Sequence, residues 1–313
     1  MHVVCLIGTS RCGSTVLQAA LAQFQGVTAL GEIKRLRSLA ARGALCGCGA
    51  KLDACEVWGP HVADFVAPTG GRLRMLGNTL AVATGAPLFP ADAQAAQSLS
   101  QMLHAIDRKL PSRVFIDSSK DPDQLLLYAS RPDVTVIPVH VVRDPRGVVQ
   151  SAGRRTGTTA DVMARHWHRL NAATLILRKM TPRLPWQTVR YEDFCADPMA
   201  ICSAILRAAG HDGQLRDWPS DHDDFGSNRS KIINVIDSNK LEHDVVRKPL
   251  RTFRHHAVDH TLGGSPGFSF GGIDTIRVEN NWQGTMPAQI QATILRQSGW
   301  PARHFGYRFD SNT

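Results

Sequence analysis

Two hydrophobic periods alternate along the first two-thirds of the chain. Short apolar or β-branched runs at residues 3–7, 114–117, 134–142 and 187–191 read as strands buried within a sheet. Segments 14–24, 91–110, 121–130, 145–155, 160–180 and 198–209 instead repeat their apolar residues at helical spacing. This alternation predicts an α/β fold, an open sheet covered by helices. Beyond residue 210 the pattern loosens. Residues 221–237 are polar and 263–272 are rich in Gly and Ser, so long loops and short helices are expected before a terminal helix at 287–298.

Composition narrows the class. With 313 residues and 43% hydrophobic content, the chain can bury a substantial core. The run after Met1 lacks a charged leader and a small-residue cleavage site. The run at 134–142 is broken by Pro138 and His140 and falls far short of the roughly 20 residues a membrane span needs. A cytoplasmic protein without a membrane span is expected. The net charge of +9 is spread along the chain, and 3 Tyr and 11 Phe offer few stacking platforms. An anionic small molecule therefore suits the charge better than nucleic acid. The oligomeric state stays open.

Seven cysteines are an odd number and do not tile the chain as a disulfide framework. A reducing compartment fits. Cys46, Cys48 and Cys55 lie close together, but without C-x2-C spacing, and His61 is the nearest candidate fourth ligand. The expectation is a packed or redox-sensitive loop and no metal.

The strongest local signal is Gly8-Thr9-Ser10-Arg11-Cys12-Gly13-Ser14-Thr15, which leaves a strand and opens a helix. Such a turn aims backbone N–H groups and the helix dipole at an anion. The spacing is that of G-x-x-x-x-G-K-[ST], but Ser14 stands where lysine belongs, and Arg11 supplies a cation two residues before the second glycine. Nucleotide kinases rely on that lysine and on magnesium, so the substitution weighs against them. A second signal follows the strand at 134–142: Arg143-Asp144-Pro145-Arg146-Gly147, with Ser151 two helical turns on. Arg143 and Ser151 could hold a phosphate monoester, or they could be an arginine at a strand end and a serine on a helix.

Together these motifs resemble the sulfotransferase family that uses 3′-phosphoadenosine 5′-phosphosulfate (PAPS), particularly its bacterial and carbohydrate-type branches. The resemblance implies a P-loop NTPase-like parallel sheet flanked by helices, with a loop-rich C-terminal third. It also implies that Arg11, Cys12, Gly13, Ser14 and Thr15 bind the 5′-phosphosulfate, and that Arg143 and Ser151 bind the 3′-phosphate. Leu30-Gly31-Glu32, Asp117-Ser118-Ser119-Lys120, Arg190-Tyr191-Glu192-Asp193 and the cysteine loop ending in Cys55 and Trp58 extend the likeness over most of residues 1–210. Residues 260–266 resemble a later H-x-x-G-N-P segment, with Ser265 in place of Asn; Arg247, Lys248 and Arg251 lie upstream. One domain spanning 1–313 is expected, with 1–210 as its core and 211–313 on the acceptor side.

On this reading Arg11 and Lys120 stabilise charge on the leaving phosphate, and Glu32 removes a proton from the acceptor hydroxyl. His140 and His166 are weaker candidates for the base. The donor is PAPS and the product PAP, no metal is required, and the acceptor is a small molecule, carbohydrate or lipid. Asp117 has a rival role as a magnesium ligand in a small-molecule kinase. A catalytically silent phosphoadenosine-binding module is the non-enzymatic alternative.

Overall fold

The computed structural model describes residues 1–66, 71–110, 112–215, 262, 273 and 276–308. Strand β1 (His2–Ile7) runs through a tight turn into α1 (Ser14–Leu21), and β2 (Val27–Gly31) follows. Helices α2 (Leu36–Ala40) and α3 (Gly59–Val62) flank an irregular loop, and α4 (Arg72–Thr84) and α5 (Pro90–Lys109) lead to β3 (Val114–Asp117). Then come α6 (Pro122–Ala129), β4 (Thr135–Val142), α7 (Pro145–Thr156), α8 (Ala160–Met180) and β5 (Gln187–Arg190). Helices α9 (Tyr191–Ala196), α10 (Pro198–Ala208), α11 (Trp282–Thr285) and α12 (Ala288–His304) complete the described chain.

The five strands among the described residues are all parallel, in the order β2-β3-β1-β4-β5. The expected P-loop-like α/β sheet is thus present, with the first strand at its centre. Alternate residues of β1 serve opposite layers, as the period of two requires. Val3, Cys5 and Ile7 pack with Leu99 and Leu103 of α5 and Leu125 to Tyr128 of α6. Val4 and Leu6 pack with Leu17 and Leu21 of α1 and Ile205 and Leu206 of α10. A third cluster joins Val148 and Val149 of α7, Trp167 of α8 and Ile294 of α12.

Two elements escape the hydrophobic pattern. The sequence reading has four strands, whereas β2 adds a fifth at the sheet edge. Helix α4 was not expected either; Leu73, Leu76 and Leu80 on it are exposed, so its leucines do not mark a core face. The terminal helix continues past its expected end, with a kink at Gly299, where φ is 62°.

The edge strand β2 has a late partner. Leu262 forms a parallel bridge with Gly31, receiving the Glu32 N–H at 2.8 Å and donating to the Leu30 carbonyl at 3.0 Å. Gly31 is required there: its φ is +81°, and a Cβ would lie 2.0 Å from the Leu262 oxygen. This contact fixes the backbone where Glu32 leaves the sheet.

Candidate active site

Parallel strands place all their C-terminal ends on one side, and an open α/β sheet binds its ligands there. At the end of β1, Gly8 passes so close to β4 that a Cβ would sit 2.4 Å from the Val141 oxygen. The turn is pinned by the Cys12 N–H on the Thr9 carbonyl at 3.3 Å, and it enters α1 through Gly13 at φ 96°. No side chain caps α1 and its first turn holds no acid, an arrangement that suits an anion. Arg11, at φ 68°, is one of two non-glycine residues with positive φ among the described residues; the other is Lys120, at 59°. Both are residues expected from the sequence to lie at the site, and both carry a backbone conformation that is costly outside glycine.

The Cys12 side chain points inward and is fully buried, so any contact it makes with a ligand runs through its backbone. Burial pushes its thiol up, while the charges of Lys120 and Arg143 and hydrogen bonds with Ser14 pull it down. Both cations therefore act on the same turn.

Lys120 and Glu32 form one unit. The Lys120 ammonium donates to Glu32 Oε1 at 2.7 Å and to the Ser118 carbonyl at 2.8 Å, while Arg35 donates to Glu32 Oε2 at 2.8 Å. Burial alone would raise the Glu32 carboxyl, but Lys120 and Arg35 outweigh it and hold the group below its ordinary range. The turn carrying Lys120 is tied to β2 by the Ser118 N–H on the Gly31 carbonyl at 2.9 Å. It is also tied by the Lys34 N–H on Ser119 Oγ at 3.2 Å. Beneath it, the fully buried Asp117 accepts from the Ser119 N–H at 2.7 Å, the Tyr128 hydroxyl at 2.8 Å and the Gln124 amide. Burial raises its carboxyl. Asp117 thus shapes the Lys120 turn from below, and it is not presented to the anion turn as a magnesium ligand would be.

On the other flank, Arg143 lies over the Tyr191 ring, 4.4 Å from its centroid. The same ring meets the anion turn, since a Cβ on Gly13 would lie 2.3 Å from Tyr191 Cδ2. One aromatic ring therefore joins the glycine turn to the arginine. The Arg143 guanidinium folds along α7, with Nε 3.1 Å from the Cβ position of Gly147, and Ser151 stands one turn further on the same face. The structure accordingly brings Arg143 and Ser151 to one face of α7.

Sequence reasoning missed the partners of this arginine. Arg143 donates to the Glu279 carbonyl at 2.8 Å and stands 3.6 Å from its carboxylate, and Arg154 donates to the same carboxylate at 2.7 Å. Asp144 caps α7 through the Arg146 N–H at 2.8 Å and receives the Arg146 guanidinium as a fork, with that guanidinium 4.0 Å over Trp282. Glu192 accepts the Asp144 N–H at 2.9 Å and the Tyr307 hydroxyl at 2.8 Å. The Arg190-Tyr191-Glu192-Asp193 motif is thus the buttress behind Arg143.

A family model described as the sulfotransferase family matches residues 4–214. The chain belongs to the sulfotransferase family. It is also 28% identical over 141 residues to a protein-glutamate methylesterase/protein-glutamine glutaminase from Nitrobacter winogradskyi. That match takes in 44% of this chain and 32% of the relative, so the chain spans about a third of the curated relative it matches. Among solved structures, the chain is similar to the sulfotransferase domain of the curacin biosynthetic pathway, at 14% identity and a TM-score of 0.49 over 98% of each chain. A sulfotransferase domain from the Synechococcus PCC 7002 olefin synthase gives 19% identity and a TM-score of 0.43, over 68% of this chain and 74% of that one.

Within this sulfotransferase-family chain His140 lies beside Ile7 in the sheet, one residue before the turn, but its ring is engaged elsewhere. His140 is buried, bonds Asn171 Oδ1 through Nε2 at 2.8 Å, and is lowered to about 4, chiefly by burial. It is a neutral core imidazole. His166 is exposed on α8. Apart from Leu262, residues 260–266 lie outside the described residues, as do Arg247, Lys248 and Arg251. No described helix is long and apolar enough to cross a membrane.

Proposed function

We propose that the chain moves a sulfuryl group from PAPS to a hydroxyl of a small-molecule, carbohydrate or lipid acceptor. The observation that supports this reading is the convergence at one sheet end. A backbone cradle at residues 8–15 is flanked by the Glu32–Lys120 pair from β2 and β3 and by Arg143 from β4. A donor with phosphates at both its 5′ and 3′ positions needs two anion sites, and the cradle and Arg143 supply them.

In this scheme the amides of Gly13, Ser14 and Thr15, with Arg11, hold the 5′-phosphosulfate. Arg143 and Ser151 hold the 3′-phosphate. Lys120, drawn from Glu32 towards the incoming anion, stabilises charge on the bridging oxygen as its bond to sulfur breaks. Glu32, relieved of one cation, regains proton affinity and takes the acceptor's hydroxyl proton while the acceptor oxygen bonds to sulfur. The products are a sulfate ester and PAP. In this scheme Arg11, Lys120, Arg143 and the amides of the turn neutralise the charge.

Calorimetry and a transfer assay test the proposal. The chain should bind PAP without magnesium and pass label from radiolabelled PAPS to a component of a fractionated extract. Binding of magnesium ATP in preference to PAP would replace the proposal with a kinase. PAP binding without transfer to any fraction would leave a silent binding module.

A further inference from the structure

A second constellation lies in the loop between α2 and α3. Cys46, Cys48 and Cys55 bring their sulfur atoms within 4.8 Å of one another, with Cys48 Sγ 3.8 Å from Cys55 Sγ. Tetrahedral zinc with Zn–S bonds of about 2.3 Å sets its sulfurs roughly 3.8 Å apart, whereas a disulfide closes them to about 2.05 Å. The Cys48–Cys55 separation matches that of two ligands on one ion, and the third sulfur lies within 4.8 Å of both.

The backbone is built to hold that spacing. Leu45 and Lys51 pair as an antiparallel bridge, the Cys46 N–H donates to the Ala50 carbonyl at 2.8 Å, and the Gly49 N–H donates to the Cys46 carbonyl at 2.9 Å. Gly49, at φ 88°, lets the chain close this knuckle, which brings Cys46 and Cys48 together. Cys55 arrives from a short 3-10 turn at Leu52–Ala54, and its carbonyl is held by the Gly59 N–H at 2.7 Å.

Two further features point the same way. Cys46 and Cys55 are buried in the main hydrophobic cluster, but the tip between them at residues 47–49 is exposed, as is Leu45, so the tip has little apolar packing of its own. Cys46 and Cys55 are buried but Cys48 is exposed, so the cluster is open to an ion from solvent on one side. A disulfide would use two of the three sulfurs; an ion uses all three. His61, the nearest candidate fourth ligand in the sequence, stands outside the cluster.

We propose that Cys46, Cys48 and Cys55 bind one zinc ion as a tri-thiolate, with its fourth position open to water or an external ligand. The site staples the loop to the core beside Glu32, because Leu52, Val57 and Trp58 pack in the same cluster as Ile33 and Leu36. Each sulfur gives up its proton on binding, so zinc is held more tightly as pH rises and released on acidification. The role is structural and separate from sulfuryl transfer.

The test uses the full chain, purified reduced and without chelator. Elemental analysis should find about one zinc per chain. Cobalt should bind the stripped protein one to one, with a thiolate-to-metal band in the near ultraviolet that zinc abolishes. Cys48→Ser should weaken cobalt binding at least 100-fold, while Cys202→Ser, in the core on α10, should leave it unchanged. PAP affinity of Cys48→Ser should stay within threefold of wild type, which keeps the result independent of the transfer proposal. Absence of both stoichiometric zinc and the cobalt band in reduced wild-type protein overturns the site, whether or not the variants fold. So does peptide mapping that finds a disulfide among the three cysteines in the purified, unstripped chain.

Discussion

The two flanks of the proposed donor site, one for the 5′ end of the donor and one for its 3′-phosphate, are built from different materials. On the 5′ side the backbone does the holding: Gly8 and Gly13 are forced by close neighbours, and Arg11 and Lys120 are locked at positive φ. On the 3′ side a side chain does it, and Arg143 already has an internal anion beside it in Glu279. A backbone site is fixed before its ligand arrives and is costly to alter. An arginine already near a carboxylate must share or exchange its partner, so its affinity can be tuned in either direction by one substitution.

The largest expected effect tests the 5′ flank through chemistry. Glu32→Gln keeps the shape of the side chain but cannot take a proton, so turnover should fall by about 10²–10⁴ with PAP affinity near wild type. A single-turnover rate within threefold of wild type would remove Glu32 from the role of base. Next comes the cradle itself. A Cβ at Gly13 must enter the Tyr191 ring at an unfavourable φ, so Gly13→Ala should weaken PAP binding by about 100-fold, or about 2.8 kcal/mol. Calorimetry on folded variant decides it, and a change below threefold would mean that the turn does not anchor the donor.

Smaller effects belong to the 3′ flank. Arg143→Ala should lower the ratio of PAP to AMP affinity by about tenfold, about 1.4 kcal/mol, and an unchanged ratio would break the 3′-phosphate assignment. Glu279→Gln removes the competing charge and should tighten PAP binding roughly threefold without altering AMP binding, in keeping with the modest worth of a partly exposed pair. Weaker PAP binding in that variant would make Glu279 a support for Arg143 and no competitor. The last effect is on acid stability. Because the Glu32 carboxyl is lowered in the fold, its stabilisation is present above the ordinary glutamate value of about 4.3 and is lost as pH falls through the depressed value. Glu32→Gln should flatten that acid limb in denaturation curves taken across this range.

The sequence made the cradle legible because all its parts are local: a strand, two glycines and a helix start within eight residues. The central strands were equally plain, being short runs of Val and Ile. Strand β2 was hidden by its composition, Val27-Thr28-Ala29-Leu30-Gly31, whose buried threonine is matched by Ser112 Oγ at 2.6 Å from a distant loop. Tyr191, Arg154 and Glu279 were not read as site residues for a related reason. Their roles come from packing across long separations, such as Tyr191 against Gly13, and no local pattern records such a contact. The cysteine spacing was visible, but its reading as a packed loop rested on the missing C-x2-C pair; the hairpin at Leu45 and Lys51 supplies the convergence that spacing alone did not promise.

The position of β1 sets a schedule for making the protein. It is made before the other strands of the sheet, yet its neighbours are β3 and β4, with Val3 opposite both Phe115 and Val136. At roughly 5–20 residues per second, on the order of ten seconds of synthesis separates this apolar strand from its first partner. During that interval β1 has neither of its neighbouring strands to pair with. Tyr191, which backs the glycine turn, emerges later still, and Leu262, which covers the β2 edge, later again. A chain released before residue 191 carries the Gly8–Thr15 turn but lacks the ring that backs Gly13, so under the proposed function PAP capture on stalled ribosomes should begin only after Tyr191 has emerged.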